Sequence, residues 1–420
     1  MINKILLFGF IFSQALLAQD SLSIDQCIEI ALKNNPQIKL AQSNLELSSS
    51  ALKTNRSSVF PQLSLQSGWT NNGGNFFVGP TARAANYQNF SYGFNAQMLI
   101  FDFGKTYSKI SASSNLENAA EQDFTSAKQN LILDTYIAYF SYLAAQRIHN
   151  VSNQEVIQAN DHLKQAKAFY DVGRSPQFDV LKAQTDVENA KVNLLNAENN
   201  VRIYKLQLEN VLNTKLGNFQ LKDNLEIKRD SIDENTAINI AMEKRPEILS
   251  SKYRVAANKS LVTSAWAANL PSINATGNYL WRGYAIDQKF LNSWNVGVSL
   301  VLPLFQGFAL DAGVEQAKAN LNNSEAQNDL TLQSVKLDVQ QQYSNLQLAQ
   351  SKITATKSLV NQSEETLKLA EGRYSQGVGS PIEVTDARVA LFNAQASYIQ
   401  TLYDYQVAYV RLQKAMGILK

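Results

Sequence analysis

Two stretches of this 420-residue chain, Lys105 to Asp171 and Phe308 to Tyr374, have equal length and contain no proline. As helices rising 1.5 Å per residue they would each be about 100 Å long, far more than a bilayer or an ordinary domain core can take up. Both are too polar to lie in lipid. In the second stretch Leu332, Val339, Leu346, Ile353, Val360, Leu367 and Tyr374 recur every seven residues. The segment after it carries Val384, Leu391, Tyr398, Tyr405 and Leu412, with Ala387, Ala394, Thr401, Ala408 and Ala415 three residues on. The first half repeats this with Val180, Val187, Leu194, Val201 and Leu208, partnered by Ala183, Ala190, Ala197, Tyr204 and Val211. A sustained seven-residue repeat packs as a coiled coil, and alanine on one seam lets helices approach closely. A narrow seam leaves each helical hairpin needing neighbours on both sides. Two hairpins per chain, repeated by symmetry, close into a hollow cylinder lined by the abundant Asn, Gln, Ser and Thr.

The chain is duplicated. Ala31 to Pro36 matches Ala241 to Pro246, Pro61-Gln62-Leu63 matches Pro271-Ser272-Ile273, Phe103-Gly104 matches Gln306-Gly307, and Tyr170 to Gly173 matches Tyr374 to Gly377. Landmarks recurring in one order mark an internal repeat. Each copy reads as helix, strand, loop, strand, long helix, turn, helix. The expected organisation is a first repeat over 19–213, with a helical hairpin at 105–213, a linker at 214–232, and a second repeat over 233–420, with its hairpin at 308–415. The opening helices, about 23–59 and 233–269, restart at Pro36 and Pro246, since proline suits only a first turn.

Between helices the period changes to two. In 62–70, Leu63, Leu65 and Trp69 oppose Gln62, Ser64, Gln66 and Thr70; 90–100, 272–281 and 294–302 alternate likewise. Such strands have one apolar and one polar face. Aromatics at their ends suit a transmembrane barrel, while a soluble sandwich would also bury one such face. Four strands are too few for a barrel and leave hazardous edges. Pooling strands from three copies gives twelve, an even number in the usual range. The Gly- and Asn-rich segment 71–89 and the shorter 282–293 read as loops.

Residues 1–18 read as a secretory signal, with Lys4, an apolar core from Ile5 to Ile11, and small residues at Ala15 and Ala18. A net charge of +2 argues against a nucleic-acid partner. One cysteine, Cys27, rules out an intrachain disulfide, and with only two histidines beside it the composition argues against a structural zinc site. His149 falls in the helical register and reads as a packing residue. No phosphate loop or nucleophile–base signature stands out, so neither an enzyme nor a cofactor is expected.

The hairpin turns carry a resemblance. Arg373-Tyr374-Ser375-Gln376-Gly377-Val378-Gly379-Ser380, followed by Pro381-Ile382-Glu383-Val384, resembles the R-Y-x-x-G-x-x-S pattern of the TolC family of outer-membrane efflux proteins. The first turn, Phe169 to Val180, departs from it at Phe169 and Pro176, and Cys27 to Leu32 with Asn34-Asn35-Pro36 is similar to the family's opening helix. The resemblance implies a mainly α fold, a long coiled-coil α-helical barrel, with four β-strands per protomer completing a 12-stranded barrel in a homotrimer. It places the protein in the outer-membrane lipid of a Gram-negative bacterium, extending into the periplasm, as a passive exit duct for a tripartite efflux pump or a type I secretion system, working with a periplasmic adaptor and an inner-membrane pump. By position it assigns adaptor contacts to Gly173, Arg174, Ser175, Gly377, Val378, Gly379 and Ser380, which read equally as turn formers. It assigns the pore constriction to Glu383 and Asp386, otherwise favoured near a helix N-terminus anyway, and a closing link to Asp179 and Tyr374. An arginine that the family's link would use is replaced by Gly379. The competing reading is a periplasmic coiled-coil scaffold or adaptor, which has no need of the alternating strands. The cargo is not legible; scarce Met and His argue against a dedicated copper path.

Overall fold

The computed structural model describes residues 21–78, 81–217, 220–223, 232–283 and 289–420. The expected signal segment, most of the linker and the tips of both strand connections lie outside them. The elements, in order, are β1 (Ser21–Leu22), α1 (Ile24–Asn34), α2 (Pro36–Ser57), β2 (Gln62–Val78), β3 (Thr81–Phe101), α3 (Lys105–Asp171), α4 (Gln177–Leu212), β4 (Gln220–Leu221), α5 (Glu234–Lys244), α6 (Pro246–Ala267), β5 (Ser272–Gly283), β6 (Leu291–Val301), α7 (Ala309–Ser375) and α8 (Pro381–Ala415).

Local chemistry sets the breaks. Ser23 and Gln26 cap α1 reciprocally, each side chain bonding the other's backbone. Asn35 and Arg245, each before a proline, are forced into extended backbone (ψ 128° and 124°). Pro36 and Pro246 then begin α2 and α6, where a missing N–H costs nothing.

The chain divides into two units, and each draws on both halves of the sequence. One comprises 41–124 and 246–333. Its sheet is antiparallel in the order β2-β3-β5-β6, with a register shift between Leu99 and Phe101. Leu63, Leu65, Trp69, Phe94, Ile100, Trp294, Val296, Val298 and Leu300 are all exposed on it. Polar contacts hold its helices: Ser250 Oγ donates to Asp123 at 2.6 Å, Arg254 pairs with Asp123 at 2.5 Å, and Ser251 meets Asn328 at 2.8 Å. The strands run further than the alternation predicts. β2 and β3 stay paired from Gln62↔Gln97 to Val78↔Thr81, through the segment expected to be a loop. The ladder is built from backbone groups, so it persists where neither face needs to be apolar and the period-two signal fades.

The other unit comprises 1–40, 125–245 and 334–420. Here β1 pairs in parallel with β4, fastened to the long helices by two tyrosines. The Tyr139 hydroxyl lies 2.5 Å from the Lys222 carbonyl oxygen and 3.1 Å from that of Leu22. Tyr403 donates to Asp223 at 3.1 Å, and Arg147 holds the same carboxylate at 2.6 Å. The heptad residues named above are buried or half-buried throughout α4 and α8, with Ala183, Ala190, Ala394 and Ala415 among the most enclosed. Leu181, Val192, Leu195 and Leu206 on α4, and Leu337, Leu348, Leu359 and Leu369 on α7, are exposed instead.

Candidate functional site

The two hairpin turns are built alike. At the end of α3, Gly173 N–H bonds the Tyr170 carbonyl at 2.9 Å and Arg174 N–H bonds that of Phe169 at 2.8 Å. At the end of α7, Gly377 N–H bonds the Tyr374 carbonyl at 3.0 Å and Val378 N–H bonds that of Arg373 at 3.1 Å. Both are Schellman closures, which place the first of these residues in left-handed backbone. Gly173 (φ 73°) and Gly377 (φ 75°) meet that need.

The glycine two residues on has a different reason. Gly379 N–H also reaches the Arg373 carbonyl, and a Cβ there would lie 2.9 Å from both Arg373 Cβ and the Tyr374 nitrogen. Ser380 then caps α8, its hydroxyl accepting from Ile382 N–H at 3.2 Å, with Pro381 at the first helical position. The first turn has Pro176 at the cap and no side-chain acceptor.

The turns touch. The Arg174 guanidinium lies 4.8 Å above the Phe169 ring, and its Nη2 is so near Gly377 that a Cβ there would sit 3.4 Å away. Val378 stays exposed, and the Ser175 hydroxyl is buried with no hydrogen-bond partner.

The residues expected at a constriction fall into two sets. Asp179, in the first turn of α4, is 7% exposed, and burial raises its carboxyl. Tyr374, in the last turn of α7, is 5% exposed, and its hydroxyl is buried without a partner. Its ring packs 5.2 Å from His162 and 5.6 Å from Phe169, both on α3. Burial raises the Tyr374 phenol, and the charge of Asp179 raises it further. Glu383 and Asp386, by contrast, lie exposed three residues apart on α8. Glu383 forms an ion pair with Arg373 at 3.4 Å. No hydrogen bond or ion pair among the described residues joins the buried pair to the exposed acids.

Sequence reasoning missed the side chains that bind the hairpins to each other. Thr385 on α8 donates to Asp186 on α4 at 2.5 Å, and Lys182 holds that carboxylate at 2.6 Å. Arg388 on α8 reaches the Gln158 carbonyl on α3 at 2.9 Å and Glu371 on α7 at 2.8 Å. His162, beneath Tyr374, is 3% exposed. In the sequence these look like ordinary charges on a solvated helix face. Only their distance from the heptad seam, one or two positions off it, hinted at partial burial.

Comparison with known proteins gives concordant matches. The family model described as outer membrane efflux protein matches residues 27–214 and 237–418. The outer membrane protein TolC of Escherichia coli is 23% identical over 408 residues, covering 94% of this chain and 82% of the relative. The toluene efflux pump outer membrane protein TtgC of Pseudomonas putida is 23% identical over 401 residues, covering 94% and 83%. Among solved structures, the CmeC outer membrane channel of Campylobacter jejuni superposes with a TM-score of 0.85 at 22% identity, over 94% of this chain and 85% of that one.

Proposed function

Because the chain belongs to the outer membrane efflux protein family, we propose that three copies form the outer-membrane exit duct of an efflux pump whose other members are a periplasmic adaptor and an inner-membrane pump. The channel itself is passive: it binds, opens and conducts, and the pump supplies the energy. The observation that carries this is the pairing of a sheet whose apolar face is exposed with helical hairpins that end in two touching turns. The sheet meets lipid, and the turns meet the adaptor.

In this reading Gly173, Arg174, Ser175, Gly377, Val378, Gly379 and Ser380 form the adaptor-contacting surface. Exposed Val378 supplies an apolar contact and Arg174 a cationic one. Asp179 and Tyr374 hold the entrance closed from inside the hairpin packing. Glu383 and Asp386 face the lumen, where threefold symmetry makes each a ring of carboxylates that favours cations and retains multivalent ones.

The test is conductance in planar bilayers. Glu383→Gln/Asp386→Asn should bring the potassium-to-chloride permeability ratio to about one or below and weaken block by trivalent cations by roughly tenfold or more, as expected when a charged ring is removed. Unchanged reversal potentials and block would place these residues outside the conduction path.

A further inference from the structure

We propose that Arg373 sets the charge of the constriction: its guanidinium cancels Glu383, which leaves Asp386 as the acid that confers cation preference. This rests on the reading that Glu383 and Asp386 face the lumen.

Arg373 Nε lies 3.4 Å from Glu383 Oε2, with the two side chains 59% and 47% exposed. An ion pair this open contributes little to stability, so its effect is on the local field. Asp386, three residues along the same face, forms no ion pair among the described residues. Of these two acids in each copy, Arg373 therefore leaves one, Asp386, without a paired cation. Three other cations near the turns are engaged elsewhere. Arg388 is held by the Gln158 carbonyl and Glu371, Lys182 by Asp186, and Arg174 lies over the Phe169 ring.

The backbone, not the ion pair, fixes this geometry. The Arg373 carbonyl accepts from both Val378 and Gly379 N–H, and Gly379 sits against the Arg373 main chain. Glu383 begins α8 just beyond, its own N–H bonded to the Ser380 carbonyl at 3.1 Å. Changing the Arg373 side chain thus leaves the turn closed while altering the charge in front of it.

The experiment is the reversal potential of the full-length channel in planar bilayers under a potassium chloride gradient, near 0.1 M salt, where charges act over about 10 Å. Arg373→Gln should raise the potassium-to-chloride permeability ratio about twofold or more, whereas Arg373→Lys should leave it at the wild-type value. Glu383→Gln, which frees Arg373, should lower the ratio to about one or below. Should Arg373→Gln fail to assemble, Arg373→Met carries the test, since it removes the same exposed charge. If Glu383→Gln and Asp386→Asn both leave the ratio unchanged, the lumen reading fails and this proposal with it. If both shift it while Arg373→Gln does not, or if Arg373→Lys behaves like the glutamine, the lumen reading stands and the role of Arg373 is refuted.

Discussion

His162 shows how one residue at the hairpin ends depends on four helices. Burial pushes its imidazole down to about 4, and the Arg388 charge acts the same way. Asp186 and Glu371 pull upward, and Lys182 adds a smaller downward push. The ring is therefore neutral in the folded protein, whereas in an unfolded chain it takes a proton near 6.5. Between these values the unfolded state binds more protons, so stability is complete above the upper value and is lost as pH falls toward the lower one. The loss should be on the order of 3 kcal/mol. Amide protection factors in 158–174 and 370–388, with the intrinsic pH dependence of exchange divided out, should fall between pH 7 and pH 4, and His162→Gln should flatten that response. An equal response in variant and wild type would assign the acid sensitivity to other groups. None of this is legible in the sequence. The resemblance picks out Asp179 and Tyr374 by position, but His162 has no ligand cluster around it in the chain to mark it. Its ring packs against Tyr374, more than two hundred residues away.

At the scale of elements, the sequence is most legible where backbone geometry leaves one solution. Pre-proline extension places the breaks at Asn35 and Arg245, and the heptads place α4, α7 and α8 with their seams inward. It is least legible in 71–89, where a hairpin persists on backbone pairing alone and glycine and asparagine mimic a loop. The second turn offers a sharp comparison. Gly377 needs left-handed backbone, which costs another residue about 1 kcal/mol, but the atom its Cβ would meet is the mobile end of Arg174. Gly379 has no such backbone need, yet its Cβ would strike the Arg373 main chain. Gly379→Ala should therefore be the more damaging, by about 2 kcal/mol against about 1 for Gly377→Ala. Thermal denaturation of the detergent-purified protein, with limited proteolysis to locate cleavage at the second turn, compares them. A larger effect at Gly377 would show that the close packing around Gly379 relaxes readily.

For the whole molecule, the faces left open in one copy determine how many copies are needed. No described helix is long and apolar enough to cross a membrane, and it is the sheet that carries an exposed apolar face to meet the bilayer. The sheet ends in β2 on one side and β6 on the other, and among the described residues neither outer edge has a partner. Lipid offers no hydrogen bonds to an open edge, so those strands must pair with other copies. Two copies would close eight strands, a barrel whose interior side chains fill, leaving no duct. Three give twelve strands and an aqueous passage. The exposed leucines of α4 and α7 require the same neighbours, because a coiled-coil helix in a cylinder has a seam on each side. Light scattering of the detergent-extracted particle, corrected for bound detergent, should give a protein mass three times that of the processed chain, from the outer-membrane fraction. Trp294→Arg on β6, facing lipid, should reduce the yield of that particle by a depth-dependent cost of up to about 4 kcal/mol, while Asn295→Arg, on the opposite face, should assemble normally. A soluble monomer or dimer, or equal tolerance of both substitutions, would mean that the apolar face is covered by protein and would return the chain to the coiled-coil scaffold reading.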